Sequence, residues 1–435
     1  MRILISKYRY FFVSLLVLFG GVFLIYGIKL FSNADAGEDI IISTNTTWES
    51  GTYTYQDITI TNNSTLTLNG TYTGNDDGVG VTIIARNVTI EAGSSISATA
   101  TGYAGCAGPG AGTSGDLVGR GGSYGGRGGQ SLTDLAYGSA LNPSNLGSGG
   151  CAYQSDAAKS GKGGGAITII ASGQVSVAGS IVANGSNGLA KTGGYSTGGG
   201  SGGTININTT SITGAGTISA NGGNGYNNGG VGGGGRVSIF YSSGSLSSLI
   251  ISAVKGVTGT TTSATDGTVF PYNRITHNLT IVASLNLKPS EGIDADGVIT
   301  ADGEYYFNDL TISNNSTLTL SGTHTNDSDG DGVGINLAGD LSVESGSTIT
   351  ATGKGYSAQS GPGKGSVVST FGGSGGGYGG EGDGVQWPGY GGTGGAIYGS
   401  TLFPEDLGSG GGQSCGGLGG GLVKIGADGD VNIEG

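Results

Sequence analysis

The sequence predicts an all-β fold, a parallel β-helix (β-solenoid) of about 22-residue coils with long glycine-rich loop insertions, following an N-terminal signal or anchor helix. Three observations lead there. Glycine supplies 98 of 435 residues and charged residues only 11%, against roughly 7% and 25% in ordinary globular chains. A short motif of alternating apolar residues recurs along the chain. A duplication at a much longer period repeats both that motif and the glycine-rich segments.

The short repeat comes first. VTIIARNVTIEAGSSISATATG (81–102) aligns with AITIIASGQVSVAGSIVANGSNG (166–188), TININTTSITGAGTISANGGNG (204–225), RVSIFYSSGSLSSLIISAVKG (236–256) and INLAGDLSVESGSTITATGKG (335–355). Each copy holds three short runs, such as Thr168-Ile169-Ile170, Val175-Ser176-Val177 and Ile181-Val182-Ala183. Alternation of period two sends successive side chains to opposite faces of a strand. One copy alone cannot bury its inward Ile and Val, whereas stacked copies form a continuous core. The copies keep their phase across insertions of very different length, which favours stacked coils over a sandwich of hairpins.

The long duplication sets the domain organisation. DITITNNSTLTL (57–68) returns as DLTISNNSTLTL (309–320), LNPSNLGSGG (141–150) as LFPEDLGSGG (402–411), and GGGAITIIASGQVSVAG (163–179) as GGGLVKIGADGDVNIEG (419–435). Three parts follow: residues 1–36, a first unit over 37–274 with a glycine-rich insertion at 103–165, and a second over 275–435 with one at 356–421. The second unit stops partway through the repeat, so a longer gene product is expected. GGSYGGRGG (121–129) matches GGGYGGEGDG (375–384). Because Tyr124 and Tyr378 keep their places, the insertions read as ordered loops packed on the solenoid, with these rings as anchors.

Residues 1–36 read as a targeting segment. Arg2, Lys7 and Arg9 precede an uncharged apolar run from Tyr10 to Ile28, and Ala34-Asp35-Ala36 supplies a small-x-small site. Cleaved signal and uncleaved anchor both fit. Either way the rest of the chain is expected outside the cytoplasm, secreted or on the cell surface, touching membrane only through this segment. Residues 1–36 carry four basic groups and one acid, so their removal takes the net charge from −13 to −16. That balance argues against nucleic acid and anionic membrane as partners.

Few residues invite chemistry. Cys106 and Cys151 border the same glycine-rich insertion and form a candidate disulfide in an oxidising compartment, leaving Cys415 unpaired. Asp327, Asp329 and Asp331, followed by Gly332, match the opening of a calcium loop, though Ala338 stands where the bidentate acid of an EF-hand belongs. Calcium is the one cofactor expected. His277 and His324 lie in different contexts, and the duplication replaces His324 by Tyr72. No nucleophile-and-base motif or phosphate loop is present, so no catalysis is expected. Thr-x-Thr pairs such as Thr65/Thr67 and Thr317/Thr319 recur, but outward strand positions favour Thr in any case.

The combination of GGG-x-I-x-I, A-N-G-G-x-G and YGG…P…LGSGGG resembles glycine-rich parallel β-helix proteins of bacterial surfaces and, more loosely, adhesin passenger domains. The resemblance covers most of residues 45–435 and implies an extracellular β-solenoid; it transfers no catalytic residue. The expected function is that of an exported structural or adhesive surface protein meeting glycans, extracellular matrix or other surface proteins. The alternative is a carbohydrate-active β-helix protein, polysaccharide-binding or lyase-like.

Overall fold

A computed structural model describes residues 37–74, 77–113, 118–130, 136–324, 330–369, 372–387 and 390–435. The signal or anchor expected over residues 1–36 lies outside them. The described chain is β throughout, apart from one turn of 3₁₀ helix at Tyr153–Ser155.

Each copy of the short repeat supplies three strand segments, and each segment pairs in parallel with the same segment of the next copy. In the first unit one face stacks Ile40–Ile42, Asp57–Ile60, Asn87–Ile90 and the end of Ala166–Val177. A second face stacks Thr46–Trp48, Thr65–Leu68, Ser95–Ser97, Ser180–Val182, Thr217–Ser219 and Ile250–Ser252. A third stacks Gly51–Thr54, Val81–Ala85, the start of Ala166–Val177, Thr204–Thr213, Arg236–Tyr241 and Thr268–Asn273. The long strands Ala166–Val177 and Thr204–Thr213 turn a corner and join the first and third faces into one sheet.

The register places like on like. Leu66, Ile96, Ile181 and Ile218 align across the second face, and Ile83, Ile169, Ile207 and Ile239 across the third. All eight are fully buried in one core. A slip of one residue would turn every such side chain to solvent, so burial itself fixes the register. The turn between the first two faces demands a left-handed backbone: φ is +56° at Asn63 and +81° at Gly93. Asn and Gly are the residues that adopt it at least cost, and Asn315 and Gly346 repeat the pair in the second unit.

The second unit builds the same three faces. Leu279–Ile281, Leu310–Ile312, Leu341–Val343 and Val431–Ile433 form one. Leu285–Leu287, Thr317–Leu320 and Thr348–Thr350 form another. Glu304–Phe307, Val333–Leu337 and Val423–Ala427 form the third. The units meet where Tyr272 pairs antiparallel with Leu279. Thr268–Asn273 is thus nearly an edge strand, and Pro271, which cannot donate to a ladder, is tolerated there. The outward rings of that strand, Phe270 and Tyr272, are buried beside Phe240 and belong to the second unit's core, with Tyr305 and Phe307.

Candidate functional site

The glycine-rich segments fold into a hydrogen-bonded lattice on the sheets. In residues 198–203 consecutive amides donate to three different neighbours. Gly198 and Ser201 donate to the carbonyls of Cys151 and Ser148, Gly199 and Gly202 to Gly230 and Gly233, and Gly200 and Gly203 to Ser186 and Ala183. Residues 230–235 repeat the rule: Gly230 and Gly233 donate to Gly119 and Gly122, Gly232 and Gly235 to Gly223 and Ala220. A period of three with every bond going outward is what a threefold extended chain of the polyproline II type produces when packed among its own kind. Residues 196–207 and 229–240 are buried throughout. Only glycine fits: a Cβ on Gly200 would lie 2.0 Å from the Lys162 carbonyl oxygen, and one on Gly202 2.0 Å from that of Ala220.

Tyrosines and one disulfide pin the first insertion. The Tyr124 hydroxyl meets Thr204 Oγ1 at 2.6 Å, and its ring lies 4.8 Å from that of Tyr137. The Tyr137 hydroxyl donates to the Leu146 carbonyl at 2.6 Å. Arg236, 1% exposed, lays its guanidinium 5.4 Å from the Tyr124 ring and donates to the Tyr137 carbonyl through Nε and Nη2 at 3.0 and 2.7 Å. Burial pushes the phenols of Tyr124 and Tyr137 above their ordinary range, Tyr137 strongly so. Cys106 and Cys151 are joined across 45 residues. The insertion also reaches the second unit: Leu141 enters its core, Glu291 accepts from the Ala140 amide at 3.1 Å, and Lys288 donates to the Gly138 carbonyl at 3.1 Å.

Ionisable groups gather at two other places. A groove of about 890 Å³ runs past His277, Tyr306, Asn308 and Asn336. His277 Nδ1 lies 2.8 Å from the Tyr272 hydroxyl, whose pKa is pushed up to about 12 by burial, with the Asp294 charge adding to it. A pocket of about 370 Å³ collects Asp302, Glu304, Asp331 and Glu405 around Lys424. Lys424 Nζ stands 3.4 Å from Glu405 and 3.9 Å from Glu304. The Thr300 hydroxyl holds the Asp302 carboxyl below its ordinary range. Sheet stacking makes this cluster from residues distant in sequence, of which only Asp331 stands out in the sequence, as a candidate calcium ligand.

Of the expected calcium ligands, Asp327 and Asp329 lie outside the described residues. Asp331 is exposed and exchanges backbone hydrogen bonds with Thr323 at 2.8 and 2.9 Å. Among the described residues no group of three or more His, Cys, Asp or Glu is arranged to hold a metal. Cys415 is exposed and free. His324 packs against Tyr356 at 4.6 Å between ring centroids, and its Nε2 accepts from the Ser357 amide at 3.3 Å. The chain matches no family model, no curated protein and no solved structure.

Proposed function

We propose that the chain is an exported, non-catalytic surface protein: a β-solenoid rod, stiffened by a buried glycine lattice, that presents its loops for structural or adhesive contact. The buried threefold hydrogen-bond lattice is the observation that supports it most. A buried lattice anchored by Tyr124, Arg236 and the Cys106–Cys151 bridge fixes the loops around it in place. Loops held this rigidly lose little conformational entropy on contact, which favours binding. The partners proposed are glycans, extracellular matrix or other surface proteins. Secretion or surface display fits the targeting segment, and calcium at Asp327, Asp329 and Asp331 is proposed as a local brace.

The second reading, a carbohydrate-active β-helix protein, draws support from the pocket around Lys424. Its weakness is chemical. A general acid needs a raised pKa, whereas Asp302 is held ionised and Glu304 and Glu405 face Lys424 as ion pairs. A decisive comparison coats beads with the purified chain and measures retention under flow on matrix- and glycan-coated surfaces. Strong retention without release of reducing or unsaturated sugar ends supports the adhesive reading. Retention equal to albumin-coated beads sinks it, and sugar release lost in Lys424→Ala moves the balance to the enzyme.

A further inference from the structure

The second glycine-rich insertion repeats internal bonds of the first and leaves open the bonds that the first makes to its cover. Tyr124 and Tyr378 each donate the amide to a glycine carbonyl, of Gly126 and Gly380, and their own carbonyls accept from Tyr137 and Tyr398. Other amides of the first insertion point outward. Gly161, Gly122 and Gly164 donate to the carbonyls of Gly198, Gly199 and Ser201 on one overlying extended segment. Gly129 and Gly126 donate to Val231 and Gly234 on another. The duplicates of these five donors are Gly417, Gly376, Gly420, Asp383 and Gly380. Among the described residues none of the five amides donates a hydrogen bond.

Space and one side chain agree with the missing bonds. A Cβ on Gly164 would lie 2.5 Å from the Gly203 nitrogen, and one on Gly125 2.1 Å from the Gly235 carbonyl oxygen, both on the overlying segments. On the duplicates Gly420 and Gly379 it would meet nothing within 4 Å. The Tyr124 hydroxyl meets Thr204 Oγ1, at the end of the first overlying segment, whereas the Tyr378 hydroxyl is buried without a partner. Unpaired backbone of this kind is a template for an added strand, whose main-chain bonds supply the affinity. The rim of the open seat is acidic: Glu381 and Asp383, both exposed, stand where the first insertion has Arg127 and Gly129.

We propose that the second insertion is a docking seat for an extended glycine-rich strand of another polypeptide, with the Gly-Gly-Ser-Gly-Gly-Thr pattern of residues 199–204 and Lys or Arg beside it. The proposal deepens the adhesive reading by naming its partner, and it rests on that reading. The seat continues, one unit further on, the interface that residues 198–204 make with the first insertion. The partner must be glycine where it faces the seat, because a Cβ on Gly200 or Gly203 would lie 2.0 Å from the carbonyl oxygens of Lys162 and Gly165. Basic flanks follow from Glu381 and Asp383. A second copy of this chain fits worse, because its net charge of −13 opposes close approach and its own segments 198–203 and 230–235 are already buried.

The test uses the full chain and a synthetic peptide of residues 197–206 with two lysines added, against a control peptide with Ala at the positions of Gly200 and Gly203. The first peptide should bind and should protect the amides of 376–383 and 417–420 from hydrogen exchange; the control should do neither. Gly420→Ala and Gly379→Ala place a methyl in empty space in the free chain, so their melting curves should not change. Both should weaken peptide binding about tenfold by filling the seat. Tyr378→Phe should weaken it several-fold by removing the hydroxyl that meets the peptide threonine. No binding of the first peptide, equal binding of the control, or full binding by Gly420→Ala overturns the proposal. Protection of the same amides when the chain alone is concentrated also overturns it, because the occupant is then a second copy. Normal bead retention without peptide binding overturns the seat and leaves the adhesive reading standing. Peptide binding without bead retention supports the seat and sinks that reading instead.

Discussion

The two glycine-rich insertions share one plan and differ in what stands over them. Tyr103 and Tyr356 each accept a glycine amide on the hydroxyl, from Gly78 at 2.9 Å and Gly330 at 2.7 Å. Tyr137 and Tyr398 each donate to a leucine carbonyl, of Leu146 and Leu407. Residues 408–412 bond with the same period of three as the first lattice: Gly408 and Gly411 donate to Gly420 and Gly417, Ser409 and Gly412 to Gly377 and Ser374, and Gly410 to Ser360. Over the first insertion, however, lie residues 198–203 and 229–235, Thr204 and Arg236, and a disulfide ties it internally. Among the described residues the second has no such cover. The Tyr378 hydroxyl is buried without a partner, and a Cβ on Gly379, Gly380 or Gly420 would meet nothing within 4 Å. The comparison separates two roles of glycine: the hydrogen-bonding pattern sets the path of the chain in both insertions, whereas glycine is obligatory only where backbone packs against it, as at Gly202 and at Gly410 and Gly412 of the second insertion but not at Gly420.

The sharpest way to separate the two insertions is to cut the tie that only one has. Cys106→Ser with Cys151→Ser frees a 45-residue loop and should lower stability by about 4 kcal/mol if chain entropy dominates. Hydrogen exchange should rise across 103–165 and stay unchanged across 356–421; equal loosening of both would break the distinction. Next in size comes Gly202→Ala. Its Cβ would sit 2.0 Å from the Ala220 carbonyl oxygen, a backbone atom that cannot step aside, and the change should cost about 3 kcal/mol. Gly420→Ala should stay within about 0.5 kcal/mol of neutral. Urea midpoints of the two variants decide this, and similar losses would refute the layered account.

A single hydroxyl makes a finer comparison. Removing it in Tyr124→Phe deprives Thr204 Oγ1 of a buried partner and should cost about 1 kcal/mol. The matching Tyr378→Phe removes a buried hydroxyl that has no partner, so it should be neutral or mildly stabilising. Opposite signs for one substitution at duplicated positions would confirm that the overlying layer, rather than the ring, is what differs. Equal losses would mean that Tyr378 finds its partner in water.

Much of the sheet part of this fold is legible in the sequence, and the reason is local. Alternating runs such as Val81–Ala85 and Ser95–Ser97 declare which side chains face inward, and repetition declares what lies above them. The copy at Leu279–Leu287 escaped notice because its turns are not glycine-rich and its first face meets the previous unit antiparallel. The lattice was legible only as an expectation of order. Its period of three lies in the hydrogen bonds, and runs such as 198–203 carry almost no side chains to reveal it. Tyr124 stood out because the duplication keeps it, whereas Arg236, its buried companion, lies within an ordinary-looking strand. The acidic pocket was illegible for another reason: Asp302 and Glu405 come together through stacking rather than sequence proximity.

Alkaline pH offers the gentlest probe of the same difference. Burial raises the phenol pKa at both Tyr137 and Tyr398, and strongly so at Tyr137, with Ser148 and Ser409 opposing the rise. For a group whose folded pKa lies above its unfolded value near 10, the stabilisation is complete below that value. It is lost as pH rises toward the folded pKa, because the unfolded chain sheds the proton first. Stability should therefore decline above about pH 10, and the first insertion should keep its tyrosines protonated longer than the second. In an absorbance titration of phenolate formation, Tyr398→Phe should remove a step that precedes unfolding. Tyr137→Phe should remove one that appears only with unfolding. If both steps precede unfolding at the same pH, the two insertions are equally open to water and the covering layers do not shield the first.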